Sequence, residues 1–387
     1  MLYQLPPVGN PVCLSRSDKQ DALIQIFGSS YKPYYFASGT AALAAAIMAA
    51  SRLKSVDEPE VIVPAYGCPD LISAAVFAGV KPVLVDLEAD RPWMNLEQLL
   101  ARISTQTVAI VAVNLFGISE RMDQLRPLAE QSEVVLIEDS AQAFPSRNEQ
   151  DIWAGDLVVL SFGRGKPVSL LGGGAVLCRE GAHEALYGLL PCGREQQPVN
   201  VPQQLIFKLK AALYNRMIFP RLYWLPQAMP FLHLGETRYY PLTSIEGMDR
   251  IRLSMLPANV KAYLDNSLKI QEKIEEMLGD LDLEVCGITD LPNACKIADG
   301  RRLLRYPLLV EPGARDQLYG ELFRSGLGPS LMYPTVLPKI SGLRSILQSQ
   351  GVFPAASSFA ERLLTLPTHQ QVSQADIAKM REVLGSH

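Results

Sequence analysis

The chain has 387 residues, 48% hydrophobic and 20% charged, with a formal net charge of −4. Its length exceeds the ~250–300 residues at which one core usually divides, and the composition is that of an ordinary soluble globular protein. Lys and Arg are dispersed along a mildly acidic chain, so no footprint for nucleic acid is visible.

Six cysteines stand at wide spacings with no CxxC, which fits reduced thiols in the cytoplasm better than a disulfide framework. The four histidines form no cluster with cysteines or one another, so no metal is expected. The start, MLYQLPPVGNPVCLSRSDKQ, lacks the basic-then-apolar pattern of a secretory signal.

In chain order, residues 1–30 read as an arm followed by a short helix from Asp18 to Phe27. Residues 34–40, YYFASGT, lead into AALAAAIMAASRL, whose alanines favour helix. Ser38 or Thr40 can cap that helix, and the free amides at its start suit a phosphate. A capped core helix with no ligand is the plainer reading of the same stretch. Glu60–Pro64, Lys81–Asp86, Val108–Val113 and Val134–Glu138 read as strands. They alternate with helices at Asp70–Ala78, Leu96–Arg102 and Leu125–Gln131. This alternation predicts a parallel α/β sheet covered on both faces, with functional groups at the carboxyl ends of its strands.

At one such end stand Glu138 and Asp139. Neighbours on a strand point to opposite faces, so one acid at most can face a site; Asp139 could equally be a helix N-cap. Leu157–Leu160 is a further buried strand. It is followed by Ser161, a glycine-punctuated turn carrying Lys166, the triplet Gly172–Gly174 and the apolar run Ala175–Leu177. A lysine at a strand end can condense with an aldehyde; alone, it could also be a solvated loop charge.

The Pro-rich segment 191–243 reads as a connector or insertion within a large α/β domain, 1–244, and 245–387 as a smaller C-terminal α+β domain. Within the connector, 205–235 is apolar and aromatic, but basic residues and prolines break it below the ~20 residues of a membrane span. It can pack as a hairpin or helical pair at a dimer interface, or touch a membrane or a lipid-linked substrate peripherally.

A phosphate-suited SGT, an acid at a strand end and Ser161 ahead of Lys166 are the inventory that holds pyridoxal 5′-phosphate. The aldehyde needs a lysine, the ring nitrogen a carboxylate, and the phosphate N–H and O–H donors. The motifs SGTAAL, VIVPAYGCP, GVKPVLVDLEADRPWMN, IEDSAQA and SFGRGK with GGGAV, in this order, resemble the DegT/DnrJ/StrS family of sugar aminotransferases. IRLSMLPA, LMYPT and LLTLPTHQQVSQADIAKM resemble that family's later segments.

The resemblance implies a fold-type-I enzyme with a mostly parallel, seven-stranded-type sheet. It implies a cytoplasmic homodimer with shared active sites that moves an amino group from a donor such as glutamate to a keto-sugar, nucleotide-linked, in surface polysaccharide synthesis. It assigns Lys166 to the cofactor aldehyde and the proton shuttle, and Asp139 to the pyridine nitrogen. Gln142 would contact the ring, and Gly39, Thr40 and Ser161 the phosphate.

Three positions depart from the family pattern. The aromatic expected over the ring is Cys68, with Tyr66 two residues earlier, so either Tyr66 stacks or a thiol packs there. The asparagine that reaches a partner's phosphate is replaced by Arg250. The histidine expected after Tyr333-Pro334 is missing. The rival readings are a sugar dehydratase, whose family variants carry histidine at the place of Lys166, and a non-catalytic cofactor-binding regulator or scaffold.

Overall fold

The structure is a computed structural model describing residues 3–16, 31–145, 153–181, 184–191, 200–229, 235–298, 300–348 and 350–386. The helix expected at 18–27 lies outside the described residues. Seven strands form one sheet: β1 (Tyr31–Phe36), β2 (Glu60–Pro64), β3 (Lys81–Val85), β4 (Thr107–Val113), β5 (Val135–Asp139), β6 (Leu157–Ser161) and β7 (Gly174–Arg179), in the spatial order 1-7-6-5-4-2-3. Strands β3, β2, β4, β5 and β6 are mutually parallel, while β7 runs antiparallel between β6 and β1. The α/β class and its mostly parallel seven-stranded sheet are therefore as expected.

The central strands are buried on both faces, which is why they read as unbroken Val/Ile/Leu runs rather than alternating ones. Strand β1 is different. Its Pro33 carries no amide to donate, and the strand sits at the sheet edge, where proline is tolerated. The expectation that residues 34–40 merely lead into the helix is corrected here, since Tyr31–Phe36 pairs as an edge strand.

Helix α1 (Gly39–Lys54) buries nine residues, seven of them alanine, against the sheet. Small side chains let its backbone lie close to the strands, and the Ser38 hydroxyl accepts from the Ala41 amide at 3.1 Å to cap it. Registers Phe36↔Gly174 and Ser161↔Gly174 bring the end of β1, the end of β6 and the start of β7 to one edge. The ends of β2 and β5 lie on that edge too, because the strands run parallel with β6.

A second sheet of three antiparallel strands, β8 (Ile288–Asp290), β9 (Arg305–Val310) and β10 (Leu363–Pro367), is ordered 10-9-8. It is stitched to the first sheet by specific polar contacts. The Asp86 carboxylate accepts from the amides of Ala355 and Ala356 at 3.0 and 2.7 Å, and the Leu337 amide donates to Ala65 at 2.9 Å. The amino-terminal arm, residues 3–16, crosses both regions. Leu5 donates to Gly326, the Tyr3 hydroxyl to Asp376, and the Asn10 amide to the carbonyls of Lys166 and Pro167.

The arm is also pinned by His369, which is buried with Nε2 2.7 Å from the Pro6 carbonyl. Its Nδ1 accepts from the Gln371 amide at 3.3 Å, so the neutral ring with hydrogen on Nε2 satisfies both partners. Burial pushes its pKa down from 6.5 to about 4. Because the folded value is the lower one, the unfolded chain takes up the proton first as pH falls. Stability is thus full above pH 6.5 and declines as pH drops toward 4, by roughly 3 kcal/mol for this group. Thermal unfolding of the His369→Gln protein should show a flatter decline over that window than wild type; equal slopes would remove His369 as the cause.

Candidate active site

The end of β5 separates the two adjacent acids as a strand must. Glu138 turns to the structural side: its carboxylate accepts from Ala154 N at 2.8 Å, Gly155 N at 2.9 Å and Asn114 Nδ2 at 2.8 Å. It is fully buried, and burial raises its pKa, with those donors opposing the rise. Asp139 turns to the other face. Its Oδ1 accepts from the Ala141 amide at 3.0 Å, closing a turn rather than capping a helix. Burial raises its pKa too; the Ala141 amide and the charge of Lys166 pull it back, and the charge of Asp70 adds to it.

Lys166 sits in the turn after β6, half-buried, its backbone carbonyl held by Asn10. Its charge acts on both Asp139 and Cys68, so these three side chains share one neighbourhood. Cys68 follows β2 by four residues and bonds the Tyr333 hydroxyl; burial pushes its thiol up to about 12. At that value the group is a neutral thiol at physiological pH, inert as a nucleophile.

Tyr66 goes elsewhere. It is fully buried, its hydroxyl donates to the Met332 carbonyl at 2.6 Å and also accepts from the Tyr333 amide, and its ring meets Tyr333 and Phe359 edge-on. Gln142 is buried between the same groups: Nε2 donates to the Tyr333 hydroxyl at 3.2 Å, and Oε1 accepts from the Phe116 amide at 3.1 Å.

The start of α1 forms a cradle against β6 and β7. A Cβ placed on Gly39 would lie 2.6 Å from the Cβ of Ser161, and one on Gly174 would lie 2.5 Å from the Ser38 carbonyl. Only glycine allows this approach. The first turn of a helix leaves its amides without partners inside the helix, and Gly39, Thr40 and the Ser161 hydroxyl come together there. Thr40 Oγ1 already donates to Asp70 Oδ2 at 2.9 Å, which brings a second carboxylate to this edge.

Arg250 opens the helix Arg250–Asp265 and is exposed. Two residues on, Arg252 turns inward. It donates to the carbonyls of Leu170 and Leu171 at 3.1 and 3.5 Å, lies over the Phe207 ring and packs beneath Gly172.

Two groups of this region escaped sequence reasoning. Asp70 is the first residue of a helix, where acids are routine, and only its place beside Cys68 at a strand end could have drawn notice. Arg305, at the start of β9, lies within electrostatic reach of Tyr66, Tyr223 and Tyr333. Its Nε and Nη1 are buried with no hydrogen-bond partner among the described residues, and burial lowers its pKa to about 10. Nothing local in RRLLRYPLLV distinguishes it from its neighbouring arginines.

The family model for DegT/DnrJ/EryC1/StrS aminotransferases matches residues 33–202. The UDP-N-acetyl-3-dehydro-alpha-D-glucosamine 3-aminotransferase of Acidithiobacillus ferrooxidans is 26% identical over 352 residues, covering 90% of this chain and 82% of that one. Among solved structures, a DegT DnrJ EryC1 StrS aminotransferase from Brucella abortus superposes with a TM-score of 0.66 at 20% identity, covering 94% of this chain and 88% of that one. NtdA from Bacillus subtilis, solved with bound cofactor PMP, gives 0.67 at 17% identity over 92% of this chain and 73% of that one.

Proposed function

We propose that this chain, which belongs to the DegT/DnrJ/EryC1/StrS aminotransferase family, is a pyridoxal-phosphate-dependent aminotransferase acting on a nucleotide-linked keto-sugar, with glutamate as amino donor. The observation that carries it is the meeting, at one sheet edge, of Lys166, the buried Asp139 and the Gly39–Ser161 cradle.

Those residues fit the cofactor by their chemistry. Gly39, Thr40 and Ser161 offer the phosphate amide and hydroxyl donors at a helix start. Asp139 offers a carboxylate whose charge is unfavourable where it stands until a cation faces it. Cys68, held as a neutral thiol, would pack on the ring in place of an aromatic, since Tyr66 is committed to the backbone at 332–333. Gln142, fixed from both ends, would contact the ring edge.

When bound, pyridoxal phosphate supplies an aldehyde that takes up the amino group and a ring that stores an electron pair. Lys166 does the rest. Its Nζ is the nucleophile that holds the cofactor and, once displaced, takes the proton from the α-carbon of the donor. In the second half of the cycle it delivers a proton to the sugar carbon that becomes the amine-bearing one. We read the enzyme as a cytoplasmic homodimer and assign exposed Arg250 to a phosphate in a second copy. The domain division at about residue 245 is part of the same reading.

The donor's carboxylate needs a cation, and half-buried Arg305, within electrostatic reach of Tyr333, has two buried nitrogens unpaired among the described residues. A carboxylate matches the guanidinium fork. Arg305→Leu should raise the KM for glutamate about ten- to a hundredfold with little change in kcat, and Arg305→Lys should recover part of it. An unchanged donor KM would remove Arg305 from this role.

The reading as a whole is tested by absorbance. Added pyridoxal phosphate should give a near-visible band that glutamate bleaches and a UDP-linked keto-sugar restores. A band that no amino donor bleaches would overturn transamination.

A further inference from the structure

Helix α6 (Val201–Met217) is apolar on two opposite faces. The inward face is accounted for. Phe207, Ala211 and Ile218 are buried at spacings of four and seven, Arg252 covers Phe207, and the Asn215 amide group brackets Val12. Among the described residues, the outward face has no such partner. Val201, Leu205, Leu209 and Leu213 recur every fourth residue, with Ile206 beside them, and are between 52% and 77% exposed. Phe219, just beyond the helix, is 53% exposed. These six make up nearly half of the thirteen large apolar side chains exposed among the described residues. A helix apolar all round belongs inside an apolar medium, and here half of it lies in the open.

The charge around this stripe points to the medium. In a chain of net charge −4, residues 200–235 contain no Asp or Glu, yet carry Lys208, Lys210, Arg216 and Arg221. At 100° per residue, Lys208 and Lys210 fall on the two borders of the stripe, where long basic side chains can bend their ammonium groups toward a charged surface. A second copy docked by a two-fold axis would bring this acid-free, basic surface against itself. An anionic bilayer is complementary to both the stripe and its borders.

We propose that the outward face of α6 is a peripheral membrane-binding surface that lies in the plane of an anionic lipid interface, Val201, Leu205, Leu209 and Leu213 dipping among the acyl chains and Lys208 and Lys210 meeting the headgroups. No helix among the described residues is long and apolar enough to cross a membrane, and the attachment proposed is peripheral, through this face. Binding rests on apolar burial plus electrostatic attraction, and salt therefore weakens it.

The test is vesicle flotation of the cofactor-loaded, full-length protein on phosphatidylcholine vesicles with and without phosphatidylglycerol. Wild type should float with the anionic vesicles, less so at high salt, and not with the neutral ones. The double variant Leu205→Glu/Leu209→Glu should lose about a hundredfold or more in partitioning, and Lys208→Glu/Lys210→Glu should lose the preference for anionic lipid. Far-UV dichroism and bleaching by glutamate should match wild type in both variants, because neither touches the inward face of α6 or the active site. Failure of wild type to float with anionic vesicles would overturn the proposal. So would a fall in the protein's molecular mass in the Leu205→Glu/Leu209→Glu variant, measured by light scattering without lipid, since that would make the stripe a contact between copies.

Discussion

Alanine at position 166 is expected to abolish the donor half-reaction while leaving the protein folded. The fold should survive because Lys166 lies half-buried in a turn whose backbone, not whose ammonium, is tied down: Asn10 holds its carbonyl and that of Pro167. The chemistry should not survive, because in the proposed mechanism one amine serves as both nucleophile and proton carrier. General acid–base catalysis alone contributes about 10²–10⁴-fold, and the second role is lost with it, so a fall of at least about 10⁴ in the rate of bleaching by glutamate is expected. Stopped-flow absorbance measures this directly. The variant should also lack the near-visible band of the lysine-bound cofactor while still retaining cofactor through the Gly39–Ser161 cradle. A Lys166→Ala protein that keeps the band would place the lysine elsewhere, and one that loses the band but still transfers amino groups would sink the proton-carrier role.

How far the site could be read in advance depended on whether its parts are local in sequence. Strands β2 to β6 were legible because burial on both faces demands continuous apolar runs. The same parallel order then dictated that Asp139, Ser161 and the start of α1 meet at one edge. The alternation rule said one of Glu138 and Asp139 must face away; which one was settled by partners over twenty residues distant, Asn114 on one side and the Lys166 turn on the other. Arg305 and Tyr333 come from a different sheet and its following loop. The approach of Tyr333 to Cys68 and Gln142, with Arg305 within electrostatic reach of Tyr333, is a tertiary event that leaves no periodicity behind. The apolar stretch near 205 was visible, but its exposure was not, since a helix apolar on two faces reads the same whether one or both are covered.

Asparagine at position 139 is expected to cost activity without costing stability, and the two readouts together separate a functional acid from a structural one. In the cofactor-free protein the Asp139 carboxylate is buried with too little compensation, so its folded pKa lies above the ordinary value of 3.8. A raised carboxyl pKa means the folded state binds the proton more tightly than the unfolded state. Stability from this group therefore falls as pH rises above the unfolded value. Asparagine keeps the acceptor that the Ala141 amide needs but carries no charge, so the Tm of the cofactor-free variant near pH 8 should equal or exceed that of wild type. Loaded with cofactor, the balance should reverse, because in the proposed site Asp139 would then face a cation. Removing one partner of a buried ion pair costs about 3–5 kcal/mol, which corresponds to a loss of roughly a hundredfold to several thousandfold in the donor half-reaction. A variant that melts earlier than wild type yet turns over normally would make Asp139 a structural residue. One that melts as late and turns over a hundredfold more slowly would show that its unfavourable burial is maintained for the cofactor it faces.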